Sequence, residues 1–272
     1  RKAMTKLRIG ILGAGSILGA HAAGLRKMAD QCTVVTVARA NPAKMEEIHR
    51  FFGLDVDVVG DNAAVIERDD IDAIINLLPH DLHMPTTVAA ARAGKHVLVE
   101  KVMARNVWEC DRMIDACEAA GVTLTVAHDR RYQPHWMALK RVVDAGLLGD
   151  ISQLRLEHNQ DVAAPRGSWI TRRDQLGGGA IMSCLTHQLD GLRWYGGEVA
   201  SVACMSNTIP ERMEGETQGV VIARMASGAL AYAAINWATR GGWSPVHGLW
   251  GEFIHITGSQ GEVYYACGAG EL

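Results

Sequence analysis

Short apolar runs and stretches of helical periodicity alternate through the first half of this chain. Leu7–Leu12, Cys32–Ala38, Ile71–Leu78, His96–Glu100 and Thr123–Ala127 are rich in Val, Ile and Leu and predict strands. Between them, Ile17–Met28, Pro42–Phe52, Pro85–Ala93 and Val107–Ala120 predict helices. Pro42 and Pro85 read as first-turn prolines, where a missing N–H has no helical partner to lose. Gly53, Gly94 and Gly121 stand where these helices end. Strands that are apolar throughout, rather than alternating, belong to a parallel sheet covered on both faces. The expectation is a doubly wound α/β domain over residues 4–128.

The pattern then changes. A helix over Pro134–Ala145 leads into Ile151–His158, whose alternation predicts a half-exposed strand. After a glycine-rich turn, Ile181–Tyr195 reads as a helix, followed by strands over Val199–Ser206, Thr217–Met225, Leu230–Trp237 and Phe253–Thr257. Short turns such as Ser227-Gly228 join successive strands and predict a mostly antiparallel open sheet. Residues 129–272 are therefore expected to form a second, α+β domain, with no long linker and no internal repeat. Trp194, Trp237 and Trp250 are expected in the core.

Composition narrows the function classes. The 272 residues are 48% hydrophobic and 21% charged, enough for two domains. Lys+Arg number 27 against 30 Asp+Glu, and no basic block stands out, which argues against a nucleic-acid surface. No apolar run approaches the ~18 residues of a membrane-spanning helix. No apolar signal core follows the basic Arg1-Lys2-Ala3, and Met4 is expected to be the natural start. The six cysteines are scattered without a C-x-x-C pair, so free thiols in a reducing cytoplasm are expected, not a zinc site or a disulfide framework. His80, Asp81 and His83 lack further ligands at useful spacing, so no metal is expected.

Gly13-Ala14-Gly15-Ser16-Ile17-Leu18-Gly19 follows the first strand and opens the first helix. Glycines there let the backbone approach a pyrophosphate, which the helix N-terminus stabilises. Gly13, Gly15, Ser16 and Ile17 are the expected dinucleotide-binding residues. The strict G-x-G-x-x-G spacing is off by one, with Leu18 before Gly19. At the end of the second strand, where a carboxylate usually takes the ribose hydroxyls, this chain has Arg39. A guanidinium can pair with a 2′-phosphate, which favours NADP over NAD.

Three further segments carry a family resemblance. Ala93-Gly94-Lys95-His96-Val97-Leu98-Val99-Glu100-Lys101 resembles the A-G-K-H-V-L-x-E-K-P signature of the glucose–fructose oxidoreductase/inositol dehydrogenase/MocA family. Leu78-Pro79-His80 with His83 resembles its P-x-x-x-H turn. Gly177-Gly178-Gly179, then His187 and Asp190, resembles its motif G-G-G-x-x-x-D-x-G-x-H-x-x-D. The resemblance implies hydride transfer between a sugar, polyol or cyclitol and NADP or NAD. Lys101 would hydrogen-bond the reacting oxygen, Glu100 would face the nicotinamide ribose, and Leu78, Pro79 and His83 would border the cofactor. His187 and Asp190, three apart on a helix, share a face; His187 would be the general acid or base.

Arg131 and Tyr132, in a run resembling the family's R-[FY]-x-P segment, and Trp169 are candidate substrate contacts with Ser183 and Asp190. Ser183 stands where the motif has Asp, Leu185 where it has Gly, and Val102 follows Lys101 in place of Pro. Two other activities are compatible with the resemblance: a sugar lyase or hydrolase using a retained NAD(P) transiently, and a non-catalytic NADP-binding regulator. The open sheet implies a homodimer or homotetramer, and against the family pattern residues 129–272 are expected to lack the usual C-terminal end.

Overall fold

The computed structural model describes residues 6–41, 45–238 and 250–267. The chain divides into two compact units, Arg1–Ala127 and His128–Leu272. In the first, the order is β1 (Leu7–Leu12), α1 (Leu18–Lys27), β2 (Cys32–Ala38), α2 (Met45–Phe52), β3 (Asp57–Val59) and α3 (Asn62–Ile66), then β4 (Ala73–Asn76), α4 (His80–Arg92), β5 (His96–Val99), α5 (Val107–Ala120) and β6 (Leu124–Val126). The strands form one parallel sheet in the order β3-β2-β1-β4-β5-β6. Its residues feed two cores: Ile9, Ile11, Val37 and Ile75 on one face, Leu12, Ile74, Val97 and Val99 on the other. Chain order reverses between β1 and β4, the place where ligands lodge in doubly wound folds.

Two expectations change here. Pro85 lies inside α4, not in its first turn. The helix starts five residues earlier, directly after Pro79, and the polar His80 and His83 that read as loop are buried. Pro85 has no N–H, so the Asp81 carbonyl loses its helical donor within the second turn. The short β3 and α3 were missing from the sequence pattern, because three and five residues carry no measurable periodicity. The expected first-turn Pro42 lies outside the described residues.

The second unit opens with a single 3₁₀ turn (Asp129–Tyr132) and α6 (Pro134–Asp144), then β7 (Ile151–Gln160) and the short α7 (Arg173–Leu176). A wide π-type turn (Ile181–Leu185) runs into α8 (Thr186–Gly196), followed by β8 (Val199–Asn207), β9 (Gln218–Met225), β10 (Leu230–Asn236), β11 (Trp250–Gly258) and β12 (Gly261–Ala266). The sheet order is β12-β11-β7-β10-β9-β8. All pairs are antiparallel except β7 with β10. Inward residues Leu154, Leu156, Ala233, Ile235, Ile254 and Ile256 pack with Trp136 and Leu192 in one core. Trp237 is buried and Trp194 packs against this core; the Trp250 side chain lies outside the described residues. The other face is open. Met205, Val220 and Ile222 are exposed there, and β8 is exposed along its whole length.

Among the described residues no helix is long and apolar enough to cross a membrane.

Candidate functional site

The candidate residues of the first unit start at the β1–α1 turn. Gly13 has φ +85°, and its N–H donates to Ala38 O at 3.1 Å. A Cβ at this position would sit 3.0 Å from the Leu77 carbonyl, so the turn packs against the end of β4 only as glycine. At Gly15, by contrast, a Cβ would meet no described atom within 4 Å. Ser16 and Ile17 are exposed beside that open space. Helix α1 follows without a side-chain cap or an acidic residue in its first turn, among the described residues. Its N-terminus is a positive dipole end facing a glycine cradle, which fits the diphosphate of a dinucleotide.

Arg39 closes one side of this cradle. Its Nη1 donates to Ala14 O at 2.8 Å, and Glu47 Oε2 stands 3.8 Å from the same nitrogen. The guanidinium is only 11% exposed, and its buried Nε has no hydrogen-bond partner among the described residues. The cation expected to meet a 2′-phosphate is thus folded onto the glycine turn with a carboxylate at its side.

At the end of β5, Glu100 Oε1 lies 2.8 Å from His21 Nε2 of α1, and Glu100 Oε2 accepts the Lys101 N–H at 3.0 Å. Burial pushes the Glu100 carboxyl up. The His21 hydrogen bond and charge, with Lys101 nearby, outweigh it and hold the group below the usual carboxylate range. Lys101 is half-buried, and its peptide bond to Val102 is cis. His21 escaped the sequence reading, since nothing local marks a helix residue that meets a strand end 79 positions away.

Leu78 and Pro79 follow β4. Their loop is shaped by Asn76, whose Oδ1 accepts the Leu78 N–H at 3.3 Å and whose Nδ2 donates to Thr86 Oγ1 at 2.8 Å. His83 is fully buried, with one ring nitrogen 2.8 Å from Leu78 O and the other 2.8 Å from Val102 O. Burial drives its pKa down against the pull of these carbonyls. His83 therefore braces the loop after β4 to the loop after Lys101, a role different from the direct cofactor contact the sequence suggests.

The remaining candidate residues lie in the second unit. The glycine triplet reaches Glu216, whose Oε1 accepts the N–H of Gly179 at 2.8 Å and of Ile181 at 3.2 Å. Ala180 N–H donates to Glu216 O at 2.7 Å, and a Cβ on Gly179 would collide with the Glu216 backbone. Glu216 thus caps the wide turn that carries Ser183 into α8. Ser183 and His187 are both nearly buried, at 4% and 5% exposure.

His187 Nδ1 is 3.8 Å from Asp129 Oδ1, and its ring centre is 6.3 Å from that of His128. Asp190 is gripped by Arg131 through two hydrogen bonds of 2.8 and 2.6 Å. Two expected substrate contacts are thus brought together as partners of each other. Tyr132 is 79% exposed, and Trp169 packs against the unit's core.

Behind this turn sits Glu252, fully buried. It accepts Trp136 Nε1–H at 3.1 Å and Gln188 Nε2–H at 3.4 Å, with His135 Nε2 at 3.1 Å and Arg130 Nε at 3.7 Å. Burial pushes its carboxyl up, while His135, Arg130 and Trp136 bring it below the ordinary value. Among the described residues no group of three or more His, Cys, Asp or Glu side chains is arranged to hold an ion.

Comparison with known proteins matches these units. Residues 7–128 fit the profile of an oxidoreductase family with an NAD-binding Rossmann fold, and residues 136–264 fit the GFO/IDH/MocA C-terminal domain. Levoglucosan dehydrogenase of Pseudarthrobacter phenanthrenivorans is 32% identical over 220 residues, covering 77% of this chain and 56% of that protein. Myo-inositol 2-dehydrogenase of Thermotoga maritima is 28% identical over 263 residues, covering 95% of this chain and 75% of that protein. The chain thus spans only part of its curated relatives' length. Among solved structures, the WlbA dehydrogenase of Bordetella pertussis in complex with NADH and UDP-GlcNAcA superposes with a TM-score of 0.87 at 26% identity, over 99% of this chain and 76% of that one. With both units matched in order and the glycine turn, Glu100-Lys101 and His187 in their expected elements, the chain belongs to the GFO/IDH/MocA oxidoreductase family.

Proposed function

We propose that this chain carries the cofactor and substrate sites of an NAD-dependent dehydrogenase acting on a secondary alcohol of a sugar or cyclitol. The observation that carries this reading is the Glu100-Lys101 pair at the carboxyl end of β5, in the same sheet as the open Gly15 cradle. A nicotinamide dinucleotide held here would supply reversible hydride-transfer chemistry toward a carbinol carbon. Gly13, Gly15, Ser16 and Ile17 receive the diphosphate, while Leu78 and Pro79 border the ring. Glu100, kept ionised by His21, accepts a ribose hydroxyl. Lys101 donates a hydrogen bond to the reacting oxygen, and His187 takes the proton that leaves it.

NAD is favoured over NADP, a revision of the expectation drawn from Arg39 alone. The guanidinium already donates to Ala14 O, and the Glu47 carboxylate 3.8 Å away offsets its charge and repels a 2′-phosphate. Arg39 is left to hold the glycine turn and flank the adenine.

The exposed apolar face of the second unit, with Met205, Val220 and Ile222, supports a homodimer or homotetramer in which that face is buried. The six free cysteines suit a reducing cytoplasm.

The test is reduced-nicotinamide absorbance after mixing the protein with NAD or NADP and a panel including myo-inositol and levoglucosan. Turnover that Lys101→Met abolishes supports the reading. Silence across the panel from protein that binds NADH overturns it in favour of the regulator.

A further inference from the structure

Ser183, one turn before His187, offers the imidazole only a neutral hydroxyl. A carboxylate nevertheless stands at that ring: Asp129 Oδ1 is 3.8 Å from His187 Nδ1. The distance is longer than a hydrogen bond but within the range where an opposite charge favours an imidazolium. His187 is 5% exposed, so solvent screens this attraction from one side only.

The turn bearing Asp129 is fixed on both sides. Arg130, the next residue, stands 3.7 Å from the buried Glu252 carboxylate, and Arg131 holds Asp190 of α8 through two hydrogen bonds. Glu252 also accepts from Gln188, the residue after His187. One buried carboxylate therefore anchors both the turn that carries Asp129 and the first turn of α8. Among the described residues, the charged or titratable groups near His187 include His128 on the same turn, with its Nδ1 4.0 Å from Asp190, and the Arg131–Asp190 pair.

We infer that Asp129 is the positioning carboxylate of His187, orienting its Nδ1 edge and stabilising the imidazolium formed when Nε2 takes the substrate's hydroxyl proton. The inference rests on the dehydrogenase reading above. In the oxidation direction the substrate O–H bond breaks and an N–H bond forms on His187. The C–H electron pair leaves with the hydride, and Asp129 stays ionised throughout. In the reverse direction the imidazolium returns the proton to the alkoxide.

The test uses the full chain and its variants Asp129→Asn, Asp129→Glu and the double change Asp129→Asn with Ser183→Asp. Asp129 is 60% exposed, so the isosteric Asn is expected to leave the melting temperature unchanged. The His187 ring resonance, assigned by its loss in His187→Gln, is titrated by NMR. Its midpoint is expected to fall by about 0.5 pH unit or more in the Asn variant and to recover in Asp129→Glu and in the double variant. With NAD and whichever panel alcohol the wild type oxidises, kcat is expected to fall about tenfold in the Asn variant while KM changes less than about twofold. An unmoved midpoint, or an Asn variant with wild-type kcat, overturns the role of Asp129. A wild-type chain silent with every alcohol refutes the dehydrogenase reading itself, and the titration still decides the pairing.

Discussion

His21 and Glu100 join the first turns of α1 to the end of β5 through a 2.8 Å contact between Nε2 and Oε1. The pair keeps a mostly buried carboxylate charged next to the backbone N–H of Lys101. Glu100→Gln removes the acceptor of the proposed ribose contact and leaves His21 without its counter-charge. NADH affinity, read by tryptophan quenching, is expected to fall about tenfold or more. Wild-type affinity in the Gln variant excludes Glu100 from the cofactor site.

Glu252 gives a stability prediction with a defined sign. Its carboxyl lies below the ordinary value of 4.5 in the folded chain. The unfolded chain therefore binds the proton more readily. The stability the ionised group contributes is fully present above about pH 4.5 and is lost as pH falls through its native value. Glu252→Gln is expected to cost about 3 kcal/mol in urea unfolding at pH 7, and the gap is expected to narrow at pH 3. A gap independent of pH would show that the charge contributes nothing.

The proposed preference for NAD rests on the carboxylate at Arg39. Glu47→Gln removes the negative charge 3.8 Å from the guanidinium and is expected to raise the NADP-to-NAD ratio of kcat/KM about fivefold. Arg39→Ala is expected to weaken both cofactors, because the bond to Ala14 O that holds the glycine turn is lost. A ratio unmoved by Glu47→Gln rules this carboxylate out as a determinant.

The glycine turn can be tested without chemistry. Gly13→Ala forces a Cβ into a φ of +85° and within 3.0 Å of the Leu77 carbonyl. A loss of about 1–3 kcal/mol in stability is expected, with weaker NADH binding. The same substitution at Gly15, where space is open, is expected to spare folding and reduce binding alone.

Assembly is probed at Ile222, 56% exposed on the open sheet face. Ile222→Glu is expected to convert a dimer or tetramer to monomer in light scattering at micromolar concentration. A monomeric wild type would sink the proposed assembly.

Long, regular segments were legible from the residues alone. Leu7–Leu12, Cys32–Ala38 and Val107–Ala120 form the predicted elements with the predicted bounds, because apolar runs and capping glycine fix them locally. The contacts between the candidate site residues were not legible in the sequence. Arg131 and Asp190 were each expected at the substrate, yet their bidentate contact joins positions 59 apart that no spacing rule connects. Asp129, His21, Glu216 and Glu252 carried no signal at all, since each acts through a partner supplied by a remote element. Pro85 misled for the opposite reason: a strong local marker was overruled by the burial of His80 and His83.

The parallel pairing of β7 with β10 sets an order of events for the second unit. Strand β7 lies between β10 and β11, its Leu154 opposite Ala231 and its Leu156 opposite Ile254. Both neighbours are made long after β7 itself, so during synthesis a central strand with one apolar face emerges with two open edges. Closure waits for residues near the end of the described chain, which gives this sheet a high contact order and slow folding. A chain stopped between β10 and β11 would keep one edge of β7 bare, a template for pairing with another copy.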